Sequence, residues 1–115
     1  MIDKLQGSLN LQGEALVLRA RRQQVLAGNI ANADTPGYKA QDFDFARALE
    51  SATRRPGVAH AIKLVPIAAA QPAADGNSVD MDAERARFAD NAVRYEAALR
   101  ALNGQIRTLL DAIKG

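Results

Sequence analysis

The chain has no cysteine and no tryptophan, one histidine, three phenylalanines and two tyrosines among 115 residues. The lack of cysteine excludes disulfides and thiolate metal sites. The lone histidine, His60, sits in a polar stretch with no nucleophilic arrangement around it and reads as a solvated side chain. Glycine-rich phosphate loops are absent. The formal charge of +2 is too small to predict a nucleic-acid or membrane partner. No apolar run approaches the roughly 20 residues that span a bilayer. The opening Met-Ile-Asp-Lys-Leu-Gln-Gly lacks a basic region followed by an apolar one, so no cleavable secretory signal is expected. The length bounds one domain. Few aromatics and many alanines suit close helix–helix packing better than a large globular core. No enzyme activity, cofactor or metal is expected.

What is present divides into three. Proline occurs only at Pro36, Pro56, Pro66 and Pro72. It costs about 3 kcal/mol inside a helix, so the chain reads as helix, non-helix, helix. The segments are 1–40, an insert over 41–78, and 79–115. The first segment places Ile2, Leu5, Leu9, Leu16, Leu26 and Ile30 on one stripe and Leu11, Ala15, Leu18 and Val25 beside it. A helix is expected from about Leu5 to Ala33.

The last segment carries the cleanest pattern. Phe88, Ala92, Tyr95, Leu99, Leu102, Ile106, Leu109 and Ile113 follow 4-3 spacing, the a/d seam of a coiled coil. A helix is expected from Met81 to Ile113. Asp80 is its N-cap, and Asp82 and Glu84 complement the dipole of the first turn. Asp80, Asp82 and Glu84 also look like the start of a calcium loop, but the glycine and the distal glutamate are missing. Gly104 is either a close-approach point for another helix or a weak point. The seam packs on the chain's own first helix, on other chains, or on both. A two-helix hairpin this poor in aromatics cannot bury all its apolar surface, which argues for an assembly subunit.

In the insert, Phe43 and Phe45 alternate with Asp42 and Asp44, the pattern of a short strand. Ile62-Lys-Leu-Val-Pro-Ile67 is a second strand candidate, restricted to an edge by Pro66. Arg54-Arg55-Pro56-Gly57 reads as a turn and Ala68 to Ala74 as low complexity. The expectation is loop with at most a small hairpin.

Between the first helix and the insert lies Leu26-Ala-Gly-Asn-Ile-Ala-Asn-Ala-Asp-Thr-Pro-Gly-Tyr38. Asn29 and Asn32 are three apart and share a helix face. Their amides either bond the local backbone or donate and accept across a subunit contact. Pro36 ends the helix, and Pro36-Gly37 fits the centre of a type II turn. Tyr38 follows as an anchor for the exiting chain.

This stretch resembles the N-terminal motif shared by rod and hook proteins of the bacterial flagellum. Asp75-Gly-Asn-Ser-Val-Asp-Met-Asp-Ala-Glu84, with Asn91, Tyr95 and the ending Ala112-Ile-Lys-Gly115, is similar to the proximal rod members of that family. The resemblance covers the first and last thirds. It implies a mainly α fold, two long terminal helices in an antiparallel coiled-coil hairpin. It implies a structural subunit of the proximal rod of the basal body, in the periplasmic space. That subunit packs helically with copies of itself and other rod subunits and transmits torque. It further implies contact with the membrane-ring adaptor subunit and passage through the type III export channel. Asn29, Ile30, Asn32, Thr35, Pro36, Gly37 and Tyr38 become a subunit-packing motif. Phe45 and Leu49, an aromatic and an aliphatic four apart, become a candidate export-gate motif; the alternative is local packing.

Arg19-Ala-Arg-Arg22 fits three readings: a solvated face, ion pairs across a subunit contact, or phosphate contact in a nucleic acid. The runner-up to the rod subunit is a free-standing coiled-coil adaptor.

Overall fold

The computed structural model describes residues 2–55, 62–67 and 73–114. Pro56, Gly57, His60, Gln71 and Pro72 lie outside the described residues. Two long helices dominate: α1 over Ile2–Ala31 and α3 over Met81–Lys114. Between them come β1 (Gln41–Asp42), α2 (Phe45–Arg54) and β2 (Val65–Pro66). The molecule measures 63 × 25 × 17 Å, and its long axis is set by α3, about 50 Å at 1.5 Å per residue.

Cross-contacts fix α1 and α3 as antiparallel. Asn29 meets Glu84, Gln23 meets Asn91, and Ser8 meets Gln105. The expected hairpin of long helices is therefore present, with bounds close to those read from proline placement and apolar period. Asp80 caps α3 as expected: its Oδ1 accepts from Ala83 N at 3.2 Å. A Cβ placed on Gly104 would meet nothing within 4 Å, so that position opens onto space.

The insert differs from the expectation. Phe45 opens a 10-residue helix, and the Phe43/Phe45 alternation is not a strand. Asp44 is its N-cap, accepting from Arg47 N at 3.1 Å. From there Phe45, Ala48, Leu49 and Ala52 recur at helical spacing and pack toward α1. The local cap and the period-3.6 row outweigh the short alternation before them. The strands are two residues each and antiparallel, pairing Gln41 with Pro66 and Asp42 with Val65. Among the described residues the sheet has two strands, so each is an edge, which is where Pro66 is tolerated.

The core lies between α1, α2 and the insert. Leu18, Phe43 and Ala52 are buried, with Val25, Phe45, Ala48, Leu49, Ile62 and Leu64 packed around them. On the long helices, every fully buried residue falls in the half nearest the insert: Leu18, Leu26 and Asn29 on α1, Glu84 and Asn91 on α3. Toward the open end of the hairpin Ile2, Ile106, Leu110 and Ile113 stay exposed.

Candidate functional site

The helix exit is a hydrogen-bonded clamp closed within one chain. Asn29 is sealed from solvent. Its Nδ2 donates to Gln41 O at 2.7 Å and to Glu84 Oε2 at 3.0 Å. Its Oδ1 accepts from Tyr38 Oη at 3.1 Å and from Gln41 N at 3.0 Å. A carboxamide has two donors and two acceptor lone pairs, so Asn29 has nothing left for a second chain. Asn32 is likewise turned inward: Nδ2 donates to Gly28 O at 2.8 Å, and Oδ1 accepts from Thr35 Oγ1 at 3.1 Å. The two amides therefore hold the chain's own exit. Asn29 spends its whole bonding capacity within the chain, whereas Asn32 uses one donor and one acceptor position.

The turn is the one Pro36-Gly37 favours. Tyr38 N donates to Thr35 O at 3.2 Å, and Gly37 has φ +74°, the value position three of a type II turn requires. Thr35, Pro36 and Gly37 are exposed; Ile30 and Tyr38 are half-buried. The exiting strand then runs beside the segment that leads into α3. Gly37 N donates to Asp75 O and Ser78 N to Tyr38 O, both at 2.9 Å, and Ala40 N donates to Ser78 Oγ at 2.8 Å. Lys39 Nζ adds a bond to Gly76 O. Gly76, at φ +79°, faces Gly37 across this seam.

Sequence reasoning missed Asn77 and Glu84 as site residues. Asn77, buried, donates from Nδ2 to Asn32 O (2.9 Å) and Thr35 O (2.7 Å), and its Oδ1 accepts from Val79 N (2.7 Å). It thereby adds a second bond to two carbonyls just past α1, which already accept from Thr35 N and Tyr38 N. Glu84 lies in the first turn of α3, as expected for a residue facing the helix dipole, but it is also an interior residue. It is 1% exposed, bound on one oxygen by Asn29 and on the other by Arg87 Nη1 at 2.7 Å. The available signal was the co-occurrence of four short polar amides or acids at both helix–insert junctions.

The arginine cluster disperses. Arg22 makes a bidentate pair with Asp42, 3.2 and 3.0 Å, pinning the insert to α1. Arg19 lies over the Phe45 ring, 3.7 Å from its centroid. Burial, then the Arg94 and Arg22 guanidiniums, lower its pKa against a smaller raising effect of Asp90. Arg21 points to solvent. Two of the three charges are thus used in packing the insert. Phe45 and Leu49 are half-buried against the core.

On α3, Phe88, Ala92, Tyr95, Leu99, Leu102 and Leu109 are half-buried, while Ile106 and Ile113 are 42% and 81% exposed. The line of α3 that bonds α1 runs instead through Glu84, Asn91 and Gln105. Asn91 Nδ2 donates to Arg19 O at 2.9 Å and Gln23 Oε1 at 2.8 Å. The apolar 4-3 row and the intrachain contact line therefore share only one flank. Among the described residues no helix is long and apolar enough to cross a membrane.

A clamped helical hairpin with an apolar row left partly uncovered defines a structural, interaction-bearing subunit. The model of a family described as flagella basal body rod protein matches residues 9–39, which contain Asn29 to Tyr38. Flagellar basal body rod protein FlgB of Escherichia coli K12 is 42% identical, covering 99% of this chain and 98% of that one. FlgB of Salmonella typhimurium LT2 is 42% identical over 100% and 99% of the two chains, and that of Buchnera aphidicola from Acyrthosiphon pisum is 32% identical over 100% of both. The chain belongs to the flagellar basal body rod protein family and is a structural rod subunit of the basal body. The E. coli alignment spans 135 positions against 115 residues here, so that relative carries residues this chain lacks.

Proposed function

We propose that this protein occupies the proximal rod, where copies pack helically with one another and with other rod subunits and carry torque along the axis. The observation that supports this most is the apolar row of α3. Its last turns leave Ile106 and Ile113 exposed, with Leu110 exposed beside them, although Ser8 of α1 bonds Gln105 there. A solvent-facing aliphatic row of this length is stabilised by burial against neighbours, at about 25 cal/mol per Å². The role is mechanical, with no catalytic residue, cofactor, metal or nucleic acid. The clamp at Asn29, Glu84 and Asn77 fixes the insert to the hairpin, so that force on one reaches the other without a hinge. The subunit-packing motif then acts by setting this shape, and its exposed Thr35, Pro36 and Gly37 are the part that neighbours touch.

The membrane-ring adaptor is the partner at the base of the rod, and the type III export gate is a transient one. Phe45 and Leu49 serve the gate before folding, since in the fold both pack on the core. The test is a null strain complemented with Ile106→Asp/Ile113→Asp. Both positions are exposed, so the isolated fold should be unchanged. The double variant should be secreted yet missing from purified basal bodies, with motility lost. Normal motility would sink the reading. A free-standing adaptor is disfavoured by the family membership.

A further inference from the structure

Of the asparagines in the chain, only Asn103 is followed by glycine. Asparagine is among the thermolabile residues, and the reason is a reaction with its own main chain. The backbone nitrogen of the next residue attacks the side-chain Cγ, and a glycine there has no Cβ to obstruct the approach. The other asparagines precede leucine, isoleucine, alanine or serine. Asn29, Asn77 and Asn91 are also buried with their amides bonded. Asn103 is exposed, and its side chain bonds no described residue. A Cβ at Gly104 would meet nothing within 4 Å, so the space around the dipeptide is open.

Both residues lie within α3, and the closed helix holds the reaction off. Helical ψ, about −42°, does not bring the Gly104 nitrogen into line with Asn103 Cγ. The helical pattern also commits its N–H to the carbonyl of Arg100. Reaction therefore waits for local opening, and opening is cheap here. Beyond Asn91 no described residue of α3 is buried, and none of α1 is buried before Leu18. Gln12 and Gln105, both in this half of the hairpin, hold amide oxygens that are out of solvent and bond no described group. Each costs about 1–3 kcal/mol. Gly104 itself costs the helix about 1 kcal/mol relative to alanine. Asp75-Gly76 offers the same ring closure in the closed half, but it is pinned. Gly76 N donates to Ala73 O, and Asp75 Oδ1 accepts from Asn77 N, both at 3.0 Å.

We infer that Asn103-Gly104 is a self-modification site, reactive when the open half of the hairpin opens and shut off when α3 is held. The Gly104 nitrogen forms a C–N bond to Asn103 Cγ. The Cγ–Nδ2 bond breaks, and ammonia leaves with the proton of the Gly104 amide. Water then adds at either carbonyl of the succinimide and opens it to aspartate or isoaspartate. Water is the only co-reactant, and nothing is oxidised or reduced. Isoaspartate routes the main chain through the former side-chain carbonyl, so one extra carbon enters the backbone of α3. Ile106, Leu109 and Ile113 then lose their register with Phe88 to Leu102, and a new carboxylate appears between them. On the reading of the chain as a rod subunit packed with others, this makes the site a timer. Chain that waits unassembled loses its apolar row, and chain held in the rod keeps it.

Trypsin, cutting after Arg100 and Arg107, releases the site in the peptide Ala101–Arg107, where fragmentation separates Asn103 from Gln105. The purified chain, kept at mildly alkaline pH, should accumulate aspartate and isoaspartate at 103. It should do so more slowly than the free peptide Ala101–Arg107, and in step with hydrogen exchange of the Gly104 amide. No conversion in the folded chain while the peptide converts, or conversion as fast as in the peptide, would overturn the inference. Gly104→Ala should abolish conversion while its circular dichroism stays at least as helical as the wild type; conversion at the wild-type rate would also overturn it. In cells, the isoaspartate fraction should be higher in unassembled chain than in purified basal bodies, and equal fractions would overturn the timer. Absence of the chain from basal bodies altogether would contradict the rod reading instead, and leaves the result in solution to stand by itself.

Discussion

The Asn29 carboxamide donates to the Glu84 carboxylate at 3.0 Å, across 55 residues of chain, with both side chains sealed from solvent. This one bond ties the end of α1 to the start of α3 and brings the insert's first residue, Gln41, into the same network. A buried carboxylate is tolerable only when its oxygens are bonded. Arg87 and Asn29 supply one donor to each.

Asn29→Asp keeps the shape and removes the donors. Gln41 O and Glu84 Oε2 would each face an oxygen, and two buried carboxylates would meet. A loss of about 3–5 kcal/mol is expected in urea unfolding. The new carboxyl fits only when protonated, so its folded pKa would exceed its unfolded one. The deficit should then be largest at neutral pH and shrink as pH falls through that raised value. A loss that grows on acidification relative to wild type would contradict the geometry.

Asn77→Ala leaves Asn32 O and Thr35 O without their side-chain donor and Val79 N without its acceptor. About 2–3 kcal/mol should be lost. Hydrogen exchange of the Val79 amide should accelerate more than that of amides in the middle of α1. Unchanged exchange at Val79 would remove Asn77 from the clamp.

How much of this was legible in the sequence depends on range. Proline placement and apolar period gave α1 and α3 to within a few residues. Pro36-Gly37 gave the turn, and Asp80 the cap. These are local signals. The helix α2 was also locally written, in Asp44 and in Phe45, Ala48, Leu49 and Ala52, but the alternation of Phe43 and Phe45 with aspartates competes with it over the same residues. The burial of Glu84 and Asn91 was not legible. A glutamate near a helix start has an ordinary exposed role, and only a partner 55 residues away makes it an interior residue. The 4-3 row at Phe88 to Ile113 was legible as apolar, but sequence spacing does not say which flank of it α1 takes.

Gly76→Ala tests conformation rather than space. The added Cβ would lie 3.7 Å from Gly37 Cα and 3.8 Å from Lys39 Nζ, ordinary contact distances. The positive φ alone should cost about 1–2 kcal/mol, read as a lower midpoint in urea. A neutral result would mean the backbone there relaxes without breaking the pairing of 37–40 with 75–78.

Leu18→Ala and Ile113→Ala should separate folding from assembly. Leu18 is fully buried in the core and its truncation should cost about 2–5 kcal/mol. Ile113 is 81% exposed, and its truncation should change single-chain stability by no more than about 0.5 kcal/mol. Rod incorporation should nonetheless fall for Ile113→Ala. Equal stability losses for the two would contradict the division of the hairpin into a closed half and an open one.

That division is the central claim, and hydrogen exchange of the isolated chain, repeated after rod partners are added, tests it most directly. The account predicts protection in the free chain over 18–31, 37–42 and 77–91, with weak protection over 2–15 and 98–114 that rises on assembly. Uniform strong protection along both long helices in the free chain, unchanged by partners, would contradict it.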